Sequence, residues 1–154
     1  MPRLINFTNL TFKQTLDVLE WRNHPNIRST SHNREEISIG SHRNFIDGLK
    51  SDWTKCYFYI AGDEGGLGVF SFSDITGTSA VYGCYKNPYL TTKGIGTVIT
   101  KEAILYAFNV LELKTIYADV YDDNIASLKM FEKNGFIKYE KTKNLVKLRL
   151  DRDE

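Results

Sequence analysis

Gly94 and Gly96 stand one residue apart at the mouth of a long apolar-periodic stretch, in the segment NPYLTTKGIGTVITKEAILYAF (Asn87 to Phe108). A helix that starts there leaves its first backbone N–H groups without partners, and glycine lets another molecule's oxygens approach without meeting a Cβ. The chemistry this suits is capture of an anion, a phosphate first. Two common phosphate-binding patterns do not fit. The dinucleotide pattern G-x-G-x-x-G fails because Ile99 occupies the third glycine position, and G-x-x-x-x-G-K-[ST] is absent. A G-x-G alone serves equally well to begin a helix lying close against a sheet.

Other side chains offer chemistry less directly. Cys56 and Cys84 sit in apolar, strand-like runs without metal-ligand spacing. That context points to buried, reduced thiols rather than to a disulfide or a metal site. Arg22, beside Asn23 and His24, has the planar fork that pairs with a diphosphate, and the same residue serves as readily in a surface ion pair.

These residues need a scaffold. With 154 residues and 42% hydrophobic content, the chain is expected to form one domain, 1–154, around one core. Twenty basic against nineteen acidic residues give a net charge of +1, which excludes a strong overall field for nucleic acid or an anionic membrane. Any anion must be caught locally. The opening residues MPRLINFTNLTF lack a signal-type apolar run, and no stretch is long enough to span a bilayer, so a soluble cytoplasmic protein is expected.

RLINF (Arg3 to Phe7) reads as a first strand, and Thr11 caps a helix that runs to about Asn23, where His24-Pro25 stops it. Phe12, Leu16 and Leu19 are its expected buried stripe. After a polar loop, SIGSHRNFIDGLK places Ile39, His42, Phe45, Ile46 and Leu49 at helical spacing, with His42 facing inward. KCYFYIAG, LGVFSFSDI and AVYGCYK form a meander of three strands. The G-x-G helix follows, expected to bury Val98, Ile99, Ile104, Leu105 and Phe108, and then a strand, TIYADVY. Asn124 caps the helix IASLKMFEKN, Gly135 ends it, and two closing strands meet near Asn144. The order β-α-α-β-β-β-α-β-α-β-β is an α+β arrangement: a central mixed sheet of about seven strands flanked by about four helices.

That order, together with two motifs, resembles the GNAT acyl-CoA N-acyltransferase family. The family's Q/R-x-x-G-x-G/A falls on Thr91 to Gly96, with both glycines kept and Thr91 at the first polar position. Its N-x-x-A-x-x-x-Y-x-x-x-G-F falls on Asn124, Ser127, Phe131, Gly135 and Phe136, with serine for alanine and phenylalanine for tyrosine. The resemblance covers essentially the whole chain. It implies acetyl-CoA as co-substrate, no metal, and a monomer or homodimer.

By the same resemblance, the N–H groups of Gly94, Ile95, Gly96 and Thr97 receive the pyrophosphate of coenzyme A, with Lys93 adding charge or merely solvated. Cys84 or Tyr85 supplies a backbone N–H to the thioester oxygen, where negative charge develops. Asn124, Ser127 and Phe131 line the pantetheine arm. Direct attack needs an unprotonated amine, whereas an alkylamine titrates near ~10.4. Asp119, alternating with Tyr117 and Tyr121, and His42 are the candidate bases; each has a structural alternative, an edge carboxylate and a packing histidine. Phe131 lacks the hydroxyl that the family's tyrosine offers the departing thiolate, a role left to Tyr85, Tyr121 or water.

A narrower resemblance lies in LEWRNHPNIR, SHRNF, LGVFSFSDI and YGCYKNP. These are similar to acetyltransferases of pseudaminic acid biosynthesis, which acetylate the 4-amino group of a UDP-linked amino-dideoxy sugar. Arg22, His42 and Ser71 are then candidate substrate contacts. Relatives with similar beginnings acetylate protein N-termini, and a CoA-binding module without catalysis is the third reading.

Overall fold

The computed structural model describes residues 2–153. Strand β1 (Arg3–Asn6) leads through a tight 3-10 turn (Phe7–Asn9) into α1 (Phe12–Asn23). A capping box starts that helix: Thr11 Oγ1 accepts from the Gln14 N–H at 3.1 Å, and Gln14 Oε1 accepts from the Thr11 N–H at 3.0 Å. His24 and Pro25 stop α1 as expected, but they also begin a one-turn helix, α2 (Pro25–Arg28), where a polar loop is expected from sequence. The cause is local. Pro25 occupies the first helical position, where its missing N–H costs nothing, and His24 Nδ1 accepts from the Asn26 N–H at 3.1 Å. Helix α3 (Ile39–Leu49) follows, capped by Ser38.

Strands β2 (Cys56–Gly62), β3 (Gly65–Ser73) and β4 (Ser79–Lys86) form an antiparallel meander. Helix α4 (Ile95–Asn109) carries the chain over to β5 (Thr115–Tyr121), which lies parallel to β4. After α5 (Ile125–Lys133), β6 (Ile137–Thr142) and β7 (Leu145–Asp151) complete a seven-stranded mixed sheet in the order β1-β2-β3-β4-β5-β7-β6.

Strand alternation sorts the sheet into two faces. Phe58, Ile60, Phe70, Phe72, Ala80, Tyr82, Ile116, Ala118 and Val120 form one core with α4 and Phe131 of α5. Tyr59, Ala61 and Val69 pack with α1 and α3 on the other face. Two helical stripes differ from the expected ones. On α1, Val18 and Trp21 are buried whereas Phe12 is 65% exposed and Leu16 also faces solvent. On α4, Ile99, Thr100, Ala103 and Ala107 face the sheet, while Val98 and Leu105 point outward. Helix α4 is apolar nearly all round, so hydrophobicity cannot choose its inner face. Close approach does: a Cβ on Gly68 of β3 would run into the Tyr85 carbonyl oxygen and Ile99 Cδ1.

The sheet is interrupted in the middle. Strands β4 and β5 pair only at Ser79↔Thr115, Ala80↔Ile116 and Val81↔Tyr117; beyond these β4 stays with β3 and β5 stays with β7. The Thr78 carbonyl faces β5, accepting from the N–H groups of Lys114 and Thr115, and the Asn87 N–H faces β3, donating to Leu67 O at 2.8 Å. Alternation between those two points turns the main-chain groups of Tyr82, Cys84 and Lys86 toward the opening, with no strand to receive them.

Candidate active site

Two cavities meet where β4 and β5 part. The first, of about 360 Å³, lies on the α1 face and is walled by Arg22, Tyr57, Ser71, Gly83, Asp119 and Tyr121, with residues 30–33 across it. The second, of about 490 Å³, is walled by Gly94, Gly96 and Thr97 at the start of α4, Met130 of α5, and Lys86 and Pro88 beyond β4. Ile27, Thr30, Cys84, Tyr85, Asn124 and Ser127 line both.

The second cavity is built to receive an anion on its helical side. Gly94 is the N-cap of α4 at φ +87°, a left-handed conformation that glycine adopts without strain, and no side chain caps the helix. The first intrahelical bond is Val98 N–H to Gly94 O, so the N–H groups of Ile95, Gly96 and Thr97 remain free by helix geometry. No acidic side chain occupies the first turn. A Cβ on Gly96 would come no nearer than 3.8 Å to Met130 Cγ, so bareness here keeps the mouth wide rather than relieving a clash. The Ile95 side chain joins the core, and Lys93 lines neither cavity. Asn124 caps α5, its Oδ1 accepting from the Ser127 N–H at 3.3 Å.

The first cavity holds charge. The Arg22 guanidinium donates through Nη2 to Asn33 O at 2.7 Å, while Nη1 is buried without a hydrogen-bond partner among the described residues. A buried donor left unpaired costs about 1–3 kcal/mol, so an arriving oxygen would be held there. Burial pushes the phenols of Tyr57 and Tyr85 up, against the opposing pull of Arg22, so both stay protonated.

His42 takes its structural alternative, the packing histidine, and not the catalytic or substrate-contact role. It is only 5% exposed, lines neither cavity, and donates from Nε2 to Thr15 O at 3.1 Å. Its inward stripe turns to the packing between α1 and α3 rather than to the cleft. Burial lowers its pKa, so the ring is a neutral core histidine. Phe131 lines the first cavity instead of the second, standing edge-on to Tyr82 at 5.9 Å and against Phe136 at 4.9 Å. Burial pushes the Cys84 thiol up, against the opposing hydrogen bonds of Tyr82 and Thr100, which disfavours the thiolate that a nucleophile needs. The Tyr82 hydroxyl itself is engaged with Thr100 Oγ1 at 3.0 Å.

Arg22, Ser71, Tyr85, Asp119 and Tyr121 all reach the first cavity, as do Asn124 and Ser127. Sequence reasoning missed Tyr57 and residues 30–33. The loop has no periodicity to read, and nothing local announces that Arg22 will reach eleven residues along the chain to Asn33. Among the described residues, no group of His, Cys, Asp and Glu could hold a metal ion, and no helix is long and apolar enough to cross a membrane.

Comparison with known proteins agrees with this geometry. Residues 5–137 match the acetyltransferase (GNAT) domain family. The chain is 34% identical over 154 residues to acetyltransferase PseH of Campylobacter jejuni, covering 100% of this chain and 96% of that protein. The crystal structure of C. jejuni N-acetyltransferase PseH in complex with acetyl coenzyme A superposes with a TM-score of 0.84 at 31% identity, covering 99% and 100% of the two chains. Spermidine N-acetyltransferase from Vibrio cholerae, crystallised with CoA and spermine, shares the fold with a TM-score of 0.86 at 17% identity over 97% and 95% of the chains. The uncapped glycine turn, the parted strands and these likenesses lead to one conclusion: the chain belongs to the GNAT acetyltransferase family.

Proposed function

We propose that this acetyl-CoA-dependent N-acetyltransferase acts on the 4-amino group of a UDP-linked amino-dideoxy sugar in surface-glycan or nonulosonic acid biosynthesis, with residues 1–154 serving as one domain. The observation that carries the reading is the meeting of two unlike cavities at Cys84, one with free helix N–H groups and one with an arginine whose buried Nη1 has no hydrogen-bond partner among the described residues. The likeness to PseH, which includes the N-terminal segments, supports the choice of sugar.

Acetyl-CoA supplies a thioester whose carbonyl carbon can accept an amine. The chain's own groups do the rest. The N–H groups of Ile95, Gly96 and Thr97 take the pyrophosphate, because a helix start concentrates donors and positive potential. Asn124 and Ser127 flank the pantetheine arm, and the free β4 edge offers it main-chain partners. Alternation favours Cys84 over Tyr85 as the N–H that stabilises charge on the acyl oxygen.

On the acceptor side, the Arg22 fork meets the diphosphate, Ser71 the sugar, and Asp119 the amine, as its base or as the counter-ion of its ammonium. Tyr85 lines both cavities, and burial keeps its phenol protonated; it donates to the departing thiolate in place of the hydroxyl that Phe131 lacks.

Thiol release from acetyl-CoA, measured across UDP-linked and dTDP-linked amino sugars, peptides and polyamines, tests the reading. Turnover of the UDP-linked 4-amino sugar well above the other acceptors is expected. Turnover of peptides alone would show a protein N-terminal acetyltransferase and overturn it.

A further inference from the structure

Residues 29–38, between α2 and α3, form a strap over the first cavity that is fastened at both margins. At the α1 side, Asn23 Nδ2 donates to Ile37 O at 2.8 Å while Asn23 Oδ1 accepts from the Ile37 N–H at 2.7 Å, and Arg22 holds Asn33 O. At the β5 side, the His32 ring lies 5.3 Å from the Tyr121 ring, and Arg34 Cζ stands 5.2 Å from the same ring's centroid. The strap thus crosses the cavity and rests on Tyr121.

What it brings there is an imidazole. The chain has three histidines. His24 caps α2 and His42 is buried against α1, whereas His32 lines the first cavity together with Asp119. The titratable and charged groups that line the same cavity as His32 are Asp119 and Tyr121 of β5, Arg22 of α1, Tyr57 of β2, and Tyr82, Cys84 and Tyr85 of β4; Arg34 and Glu35 are its neighbours along the strap. An ordinary carboxylate near ~4 is a poor match for an alkylammonium near ~10.4, and an imidazole near ~6.5 is a better one.

We propose that His32 is a catalytic residue of the acyl transfer, accepting the amine proton, and that Tyr121 is the positioning residue that holds it. The acceptor ammonium gives one proton to a ring nitrogen of His32 and becomes a free amine, with Asp119 as its counter-ion. The amine lone pair forms the C–N bond as the C–S bond breaks. The thiolate leaves with that electron pair and takes the second amine proton as thiol, with Tyr85 donating to it meanwhile. His32, on the exposed side of the strap, returns its proton to solvent. This proposal rests on amine acylation in the first cavity, whichever amine is acylated.

The test is the pH profile of kcat/KM between pH 6 and 9.5, with an amine that the wild-type enzyme turns over, so that a wrong acceptor identity leaves it intact. His32→Gln is expected to lower kcat/KM at pH 7 by roughly 100-fold, the lower range for general acid–base catalysis. It is also expected to abolish the acid limb, to respond to added imidazole, and to leave the CoA-induced thermal shift unchanged. Tyr121→Ala should lower kcat more than it raises KM, with Tyr121→Phe restoring most of the loss. A wild-type profile in His32→Gln, a loss equal at every pH and deaf to imidazole, or an acid limb abolished by Asp119→Asn instead would each overturn the assignment.

Discussion

Phe131 stands on the wall of the acceptor cavity, its ring wedged between Tyr82 and Phe136, and it has no hydroxyl to offer a leaving group. If Tyr85 already donates to the thiolate, a hydroxyl restored at this position adds little. Phe131→Tyr is therefore expected to keep kcat within about threefold and to leave its pH dependence unchanged, whereas a well-placed general acid contributes about 100-fold or more. A rise of that size in steady-state kcat would remove Tyr85 from the role. At this scale the sequence discloses groups whose chemistry is carried by the backbone. Gly94 and Gly96 announce a free helix start because glycine's conformational freedom acts locally. His42 could not be placed in the same way: helical spacing says that it points inward, and both a core and a cleft are inward.

Helix α5 shows how an element sets a residue. Gly135 at φ +90° ends it with paired bonds, Phe136 N–H to Phe131 O and Gly135 N–H to Glu132 O, each 3.0 Å. That closure folds Phe136 back onto Phe131 and so fixes the ring that walls the acceptor cavity. A Cβ at Gly135 would meet only Leu150 Cδ1 at an ordinary 3.5 Å, so the cost of adding one is conformational. Gly135→Ala should lose about 1–2 kcal/mol in urea unfolding, the penalty for an L-residue in the left-handed region. A neutral result would show that the closure re-forms another way.

Both ends of α5, Asn124 and Gly135, are legible because caps are sequence-local. The buried stripe of α4 is not. Ala103 and Ala107 face the sheet because small side chains permit close approach, a property of the partner surface that an apolar sequence does not encode.

Across the molecule, pH acts through the same buried histidine that proved to be packing. His42 is held below its ordinary 6.5 by burial, so the folded ring stays neutral while the unfolded chain takes up a proton on acidification. Its contribution is therefore complete above about pH 6.5 and is lost as pH falls through and below that value. Thermal midpoints of the wild type are expected to drop between pH 7 and 5 more steeply than those of His42→Gln, whatever the absolute offset between them. Asp52 and Asp151, held below the usual carboxylate value by Thr54 and Arg149, act in a more acidic window and leave this one distinct.

The element order and mixed sheet could be read from the sequence because each strand and cap is signalled where it occurs. The strap at residues 29–38 could not, since its meaning lies in Tyr121, far along the chain.

A four-stranded plate and a three-stranded plate share a hydrogen-bonded seam only three residue pairs long, so apart from that seam they are joined by the apolar core under α4 that spans both. A molecule lodged in the gap touches both plates and becomes part of the fold's own bonding. Acetyl-CoA at about 100 times its dissociation constant would add about 2.7 kcal/mol to global stability. Slowed amide exchange in β6 and β7, which line neither cavity, would register that transmission. Exchange slowed only at the cavity walls would show instead that the two plates breathe independently.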